Sequence, residues 1–140
     1  MINQVLELEI QDGKIVLDKK LATEMSQWGG KLKGYLEGHK LVIVPAGESL
    51  DSKHPFISRY ENVCGGEPVI AGTRVTVRAI VEYDRLYHSV VRTLRALPHI
   101  MREQVEDALG YYADHAEEID AYIAKNERAY DEGARHAWKA

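Results

Sequence analysis

The stretch GGEPVIAGTRV, residues 65–75, decides how the second half of the chain folds. Its two glycines and its proline lead into the apolar pair Val69-Ile70, and Gly72-Thr73 then turns the chain back. A glycine in the first position of a two-residue loop is typical of a type II′ turn between antiparallel strands. The stretch therefore predicts a short β-hairpin at the start of a module that continues as helices.

Four helical runs of apolar residues follow this hairpin. The second begins at Ser89, a good N-cap residue, and ends at Pro98, and the third begins near Met101. Two helices of matching length joined by a short turn are typical of a helix-turn-helix, whose later helix can enter the major groove of DNA. A three-helix mini-bundle without any DNA contact has the same pattern, so that alternative stays open.

The last helix is predicted to start at Asp114, because Asp114 and Glu117 resemble a capping box. Its apolar pattern fades toward the end of the chain, where aromatic residues recur every eight positions and can anchor a protein interface. Residues 127–140 are therefore predicted to be a tail that is mobile alone and orders on a partner. The predicted partner-binding residues are Ile119, Tyr122, Ile123, Tyr130 and Trp138.

The first part of the chain has a ββαββ pattern. Alternating apolar and polar residues predict strands on both sides of Asp12-Gly13, a strong signal for a two-residue turn. A helix ending at Gly29-Gly30 comes next, and a second hairpin turns at Glu37-Gly38-His39. The predicted divisions are a first module at residues 1–46, a linker at 47–57, a helical module at 58–126 and the tail at 127–140.

The composition is that of a globular protein, with 45% hydrophobic and 29% charged residues among 140. The single cysteine excludes an internal disulfide, and no apolar run approaches the ~20 residues that cross a bilayer. With no secretory leader in the sequence, we expect a cytoplasmic protein that does not contact a membrane. Residues 101–140 carry ten acidic and five basic residues, which suits a basic protein partner better than phosphate.

Arginine is the dominant base of the second module. Its guanidinium group can donate two parallel hydrogen bonds to a phosphate or to the edge of a guanine. Arg102 and Gln104 lie at the start of the candidate recognition helix, but acidic residues share that helix, so a structural role for it is the alternative. Each arginine taken singly is also compatible with a solvated surface charge. The candidate DNA contacts are Arg74, Arg78, Arg92, Arg95, Arg102 and Gln104.

No local pattern indicates catalysis or a bound cofactor. The six histidines are scattered without an HExxH spacing, and Gly65-Gly66 lacks the other residues of a phosphate-binding loop. We predict no catalytic residues, no metal ligands and no cofactor. Catalytic groups can converge from distant positions, so an enzyme or small-ligand domain stays a third alternative.

Several segments resemble the domain-of-unknown-function 433 family. Residues 65–75 resemble its opening signature, and residues 89–98 its second helix with the closing proline. Residues 105–112 resemble its Val-x-x-Ala-Leu-x-Tyr-Tyr helix, and residues 113–120 its Ala-Asp-His-Pro-Glu-Glu-Ile-Asp ending, with Ala116 in place of the proline. The resemblance implies a three-helix, winged-helix-like fold and a VapB-type antitoxin, often paired with a PIN-like ribonuclease toxin.

The first module is similar to the AbrB/MazE-like swapped-hairpin domain through residues 13–17 and 37–45. This resemblance implies interlocked dimers that bind DNA, although the usual arginine-rich loop is absent. The bases available for DNA in this module are Lys14, Lys19, Lys20, Lys31, Lys33 and Lys40.

Taken together, the sequence predicts an α+β protein with a ββαββ swapped-hairpin-like module, followed by a β-hairpin and a helix-turn-helix-like module. Its predicted function is that of a homodimeric antitoxin of a type II toxin–antitoxin system. It would neutralise a PIN-like ribonuclease toxin by occlusion, and autoregulate its operon by binding operator DNA. The alternative is a free-standing DNA-binding transcriptional repressor without a toxin partner.

Overall fold

The computed structural model describes residues 8–28 and 31–139, and the side chains among them except those of Trp28 and residues 134–139. The chain divides into two compact units, Met1–Pro45 and Ala46–Ala140. Both units mix helices with strands in small antiparallel sheets, which confirms the α+β class. No helix among the described residues combines the length and the apolarity needed to cross a bilayer.

The first unit contains two antiparallel hairpins and one short helix in the predicted ββαββ order. The first hairpin turns at Asp12 and Gly13, whose φ angles of 52° and 75° are the positive values that such a turn requires. The elements are β1 (Glu9–Gln11), β2 (Lys14–Val16), α1 (Lys19–Met25) with a 3₁₀ turn (Ser26–Trp28), β3 (Leu32–Glu37) and β4 (Lys40–Pro45).

The strands of the first unit leave much apolar surface uncovered. Within the described residues, the β1–β2 ladder and the β3–β4 ladder belong to separate two-stranded sheets. An isolated two-stranded hairpin is only marginally stable in water. The exposed apolar side chains are Leu8, Ile10, Ile15, Val16, Leu32, Leu36 and Leu41.

The second unit packs helices against a small three-stranded sheet, in the strand order β5-β6-β7. Its helix α2 contacts each of the three helices that follow it. The strands are β5 (Glu48–Ser49), β6 (Ile57–Arg59) and β7 (Val69–Ile70). The helices are α2 (Val77–Tyr87), α3 (Val90–Ala96), α4 (Arg102–Asp114) and α5 (Ala116–Lys139).

The stretch 47–57, predicted to be a linker, belongs to the second unit. Its strand β5 pairs with β6, so that Ser49 faces Ser58, and Leu50 packs against the core. His54 in the same stretch is buried. The prediction of a linker was wrong because the polar composition of the stretch conceals a strand and a buried side chain whose partners come later in the chain.

The hairpin that follows residues 65–68 has a longer loop than predicted. The Ile70 amide donates to the Val75 carbonyl over 2.9 Å, and the Thr73 amide donates to the Ile70 carbonyl over 3.0 Å. Gly72 has the positive φ of 76° that this turn requires. The loop therefore comprises the four residues 71–74, and not Gly72-Thr73 alone.

One hydrophobic core holds the second unit together. It joins residues of β6 and β7 to the inward faces of α2, α4 and the first part of α5. The predicted N-cap at Ser89 is confirmed, because its hydroxyl accepts a hydrogen bond from the Arg92 amide. The core residues are Ile57, Ile70, Val77, Ile80, Val81, Ile100, Val105, Ala108, Tyr111, Ile119 and Ile123.

Helix α5 is a single helix of 24 residues, which corresponds to a length of about 36 Å. Among the described side chains of α5, Ile119 and Ile123 lie in the core and Tyr122 packs against it, all near the start of the helix. Every residue from Ala124 to Gly133 is exposed. The backbone thus runs through the predicted boundary between residues 126 and 127 without a break, and residues 124–133 form an exposed stretch of α5, which we call the projecting part of α5.

Candidate functional site

A buried histidine lies between two carboxylates at the side of α4. The Nδ1 atom of His54 is 2.9 Å from Oδ1 of Asp107, and its Nε2 atom is 2.7 Å from Oδ2 of Asp114. The side chains of His54 and Asp107 are 10% and 12% exposed, whereas that of Asp114 is 47% exposed. The histidine is therefore held inside the unit, with one of its two carboxylate partners open to solvent.

The geometry of α4 creates the space for this histidine. Asp107 and Asp114 are seven positions, or two turns, apart, so they lie on one face of the helix. Gly110 lies between them, and a Cβ atom there would come within 3.1 Å of the His54 Cε1 atom. The second oxygen of Asp107 accepts a hydrogen bond of 2.9 Å from the Phe56 amide, which fixes this carboxylate.

A second acid–histidine pair adjoins the first. Oδ2 of Asp51 lies 2.9 Å from Nε2 of His115, and Oδ1 of Asp51 accepts a hydrogen bond from the Lys53 amide. One ligand atom from each of Asp51, His54 and Asp114 lies within 4.8 Å of those of the other two. We call Asp51, His54, Asp107, Asp114 and His115 together the His54 cluster.

The electrostatics of the cluster follow from these contacts. Burial lowers the pKa of His54, but the hydrogen bonds to Asp114 and Asp107 outweigh it and hold the pKa above its usual value. The hydrogen bond from His115 is the main reason why the pKa of Asp51 is lowered. Burial, together with the neighbouring Glu118, raises the pKa of the Tyr111 hydroxyl.

The His54 cluster suits cation binding better than proton transfer. Both ring nitrogens of His54 face carboxylate oxygens, so passing its proton to a substrate would break an ion pair. A histidine nitrogen and carboxylate oxygens that converge are the ligand types that divalent transition metals accept. The sequence analysis predicted no metal ligands, and no pattern in the sequence indicated that these residues converge.

Asp114 was predicted to cap the last helix, and this interpretation was wrong. Asp114 is the final residue of α4, and α5 begins only at Ala116. The carboxylate of Asp114 binds His54 instead. The seven-residue spacing between Asp107 and Asp114 would have predicted that both acids lie on one face of α4. Their partner, His54, lies in the stretch that was predicted to be a linker.

The candidate DNA contacts fall into two groups, of which the first is exposed. Arg92 and Arg95 are exposed on α3, three positions apart, and Arg74 is exposed in the loop after β7. Within the described residues, the structure shows no ion pair or hydrogen bond made by the guanidinium groups of these three arginines. Their guanidinium groups are available to a ligand.

The members of the second group have acidic partners within the unit, although Arg102 is itself exposed. Arg78 binds Glu67 over 3.0 Å and Glu82 over 3.3 Å, and Arg102 lies 3.8 Å from Glu106. The structure thus assigns Arg78 to a partly buried ion-pair network, which removes it from the predicted DNA contacts.

Gln104 is also unavailable for base contact, contrary to the prediction. The residue is only 3% exposed, and its Oε1 atom accepts a hydrogen bond of 2.7 Å from the Met101 amide. This contact satisfies a backbone donor at the start of α4, as in a capping box. Gln104 therefore fixes the beginning of α4 and does not present its amide to a groove.

The predicted partner-binding residues divide in the same way. Ile119 and Ile123 are buried in the core of their own unit, and Tyr122 packs against it, so these three are not free for a partner. Tyr130 is 76% exposed on the projecting part of α5. The side chain of Trp138 lies outside the described residues.

The acidic excess of residues 101–140 is largely used within the second unit. Besides the two carboxylates that hold His54, Glu118 binds Arg59 over 2.9 Å and Asp120 binds Arg85 over 3.2 Å. Of the predicted acidic tail, residues 127–140, the described side chains are those of residues 127–133 on α5. The charged residues among these are Glu127, Arg128, Asp131 and Glu132.

These features define a small α+β unit with a helical bundle, an acid–histidine cluster and a projecting C-terminal helix. Residues 57–112, about two-fifths of the chain, match the family described as "Protein of unknown function (DUF433)", which confirms the resemblance of this segment. Of the His54 cluster, only Asp107 lies inside the matched segment. No curated protein and no solved structure matches the chain.

Proposed function

We propose that the protein is an antitoxin-type regulator that binds a PIN-like ribonuclease toxin through the projecting part of α5. The observation that carries this proposal is the run of exposed residues from Ala124 to Gly133, on a helix whose described core residues, Ile119 and Ile123, lie near its start. A helical segment of this length gains little stability on its own in water, so covering it with a partner adds the missing contacts. The resemblance of residues 65–120 to the antitoxin family supports the same function.

The chemistry of one helix face favours a basic partner. Glu127, Tyr130 and Asp131 are spaced by three and four positions, so they lie on one side of α5. Exposed tyrosine is a frequent anchor of protein interfaces, and two flanking carboxylates attract positive charge. An RNA-cleaving enzyme must present a basic surface to its substrate, and this face is complementary to such a surface.

The first unit fits the proposal as a dimerisation module. Its apolar strand residues, including Ile10 and Leu36, are exposed in the single chain. Contiguous exposed apolar surface favours association, and a second copy of the same chain offers a self-complementary surface. Pairing of the two hairpins with those of a second copy, as in the swapped-hairpin domain, would cover these strands.

Substitution at Tyr130 tests whether the face of α5 that carries Glu127, Tyr130 and Asp131 binds the toxin. We expect Tyr130→Ala to weaken toxin binding by about 2 kcal/mol, or roughly 30-fold, because the anchor of the interface is lost. Asp131→Asn should weaken binding less, and Glu132→Gln, which removes one charge from a different face, serves as its matched control. Calorimetric titration with the product of the neighbouring open reading frame, purified as the candidate toxin, gives the affinities. Unchanged binding by both Tyr130→Ala and Asp131→Asn would contradict the proposal.

The second candidate function, a DNA-binding repressor without a toxin, is favoured by the free guanidinium groups of Arg92 and Arg95 on α3. If both contact phosphates, the double substitution to alanine should weaken binding to every DNA sequence. It should also flatten the plot of log affinity against log salt by about 2, one for each lost contact. Fluorescence anisotropy at several salt concentrations measures this slope. An unchanged slope, with Lys31 substitutions abolishing binding instead, would assign DNA contact to the first unit.

A further inference from the structure

The His54 cluster places three potential metal ligands around one point at the end of α4. We propose that Asp51, His54 and Asp114 bind one divalent transition-metal ion, with Zn²⁺ the cation that fits best. The three residues come from the segment before β6 and from the last position of α4, so a bound ion would tie these two parts of the second unit together. This inference does not depend on the proposed antitoxin function.

The distances between the ligand atoms fit a small ion. Zinc takes nitrogen and oxygen ligands at about 2.0–2.2 Å, which places neighbouring ligands of a tetrahedral site roughly 3.4 Å apart. Nε2 of His54 and Oδ2 of Asp114 are 2.7 Å apart. One ligand atom from each of Asp51, His54 and Asp114 lies within 4.8 Å of those of the other two. Binding an ion would require the Nε2 proton of His54 to leave to solvent and the two aspartates to turn toward a common point.

The contacts on the far side of the histidine ring are those of a metal ligand. Metal-binding histidines almost always donate their other ring N–H to a carboxylate or carbonyl, which orients the ring. Nδ1 of His54 has such a partner in Asp107, and Asp107 is itself fixed by the Phe56 amide. His115 holds Asp51 in the same manner. Asp107 and His115 are thus positioning residues, and the Nε2 atom of His54 faces Asp114.

Charge and access both favour a cation at this place. The cluster contains three carboxylates and two imidazoles: Asp107 and Asp114 contact His54, and Asp51, which lies near them, contacts His115. Even with both imidazoles protonated, the cluster keeps an excess of one negative charge. The half-exposed side chain of Asp114 leaves the site open on one side, where a water molecule can complete the tetrahedron. The imidazole ligand favours Zn²⁺ over Mg²⁺, which prefers oxygen ligands alone.

The test is a Zn²⁺ titration of the full chain after treatment with a chelator, followed by calorimetry and by the visible spectrum of the Co²⁺-loaded protein. We expect one ion per chain. Asp114→Asn and Asp51→Asn should each weaken binding at least 100-fold, because they remove a charged ligand, and Asp107→Asn should weaken it about 10- to 100-fold through loss of ring orientation. Glu117→Gln is the matched control, since Glu117 is an exposed acid three positions from Asp114, and it should bind as the wild type does.

Two outcomes would overturn the proposal. One is a wild-type protein that binds Zn²⁺ no more tightly than the Asp51→Asn/Asp114→Asn double variant does. The other is an Asp114→Asn variant that is folded by circular dichroism and keeps wild-type affinity and the wild-type Co²⁺ spectrum. Either result would reduce the cluster to an ion pair that holds the segment before β6 against α4.

Discussion

Replacing Ile80 with alanine will lower the free energy of unfolding of the second unit by about 2–5 kcal/mol. Ile80 is 0% exposed and lies on α2, the helix that contacts α3, α4 and α5. Deleting its outer carbons removes apolar contacts and leaves a cavity that three neighbouring helices cannot all fill by shifting. Because whole domains are stable by only about 5–15 kcal/mol, this one substitution removes a large share of the total.

The measurement is urea denaturation followed by circular dichroism. Leu86→Ala on the same helix is the matched control, because Leu86 is 69% exposed and should change the stability by less than about 0.5 kcal/mol. Equal effects of the two substitutions would show that α2 is not the centre of the core.

The second large effect is expected at His54. In chelator-treated protein, His54→Ala should lower the free energy of unfolding by about 2 kcal/mol. Removing one partner of a fully buried ion pair costs about 3–5 kcal/mol, and here the exposed Asp114 can turn to water, which reduces the loss. Most of the effect should therefore come from Asp107, whose carboxylate would stay buried without the imidazole.

A double-mutant cycle with Asp107→Asn separates this pair from general loss of packing. The two residues should couple by about 1 kcal/mol or more, because they contact each other directly. His99→Ala, at an exposed histidine, is the control and should have little effect. Additive effects of the His54 and Asp107 substitutions would contradict the ion-pair account.

Features that depend on neighbouring residues were predictable from the sequence. The turn at Asp12-Gly13, the cap at Ser89 and the end of α3 before Pro98 all depend on residues within one or two turns. The same holds for the ββαββ order of the first unit, which follows from alternation of apolar residues and from turn chemistry. In these places, the local preference and the fold agree.

Features that depend on distant residues were not predictable in this way. His54 is 53 positions from Asp107 and 60 from Asp114, and no periodic pattern connects residues so far apart. Polar composition predicted a linker where the chain instead buries a histidine. Gln104 was predicted to contact DNA, but it is buried and accepts a hydrogen bond from the Met101 amide. The candidate site thus escaped sequence analysis because tertiary pairing, and not local propensity, determines it.

Because α5 is uninterrupted, it fixes the direction in which Glu127, Tyr130 and Asp131 point relative to the core residues Ile119 and Ile123. An α-helix turns by about 100° per residue. Inserting one residue between Ile123 and Tyr130 would therefore rotate Tyr130 by about 100° around the helix axis, while the core residues of α5 keep their positions. An insertion of seven residues would restore its direction to within about 20° and carry it about 10 Å outward. Length changes in this segment are therefore neutral for folding, but only those close to whole heptads preserve the direction in which the face points.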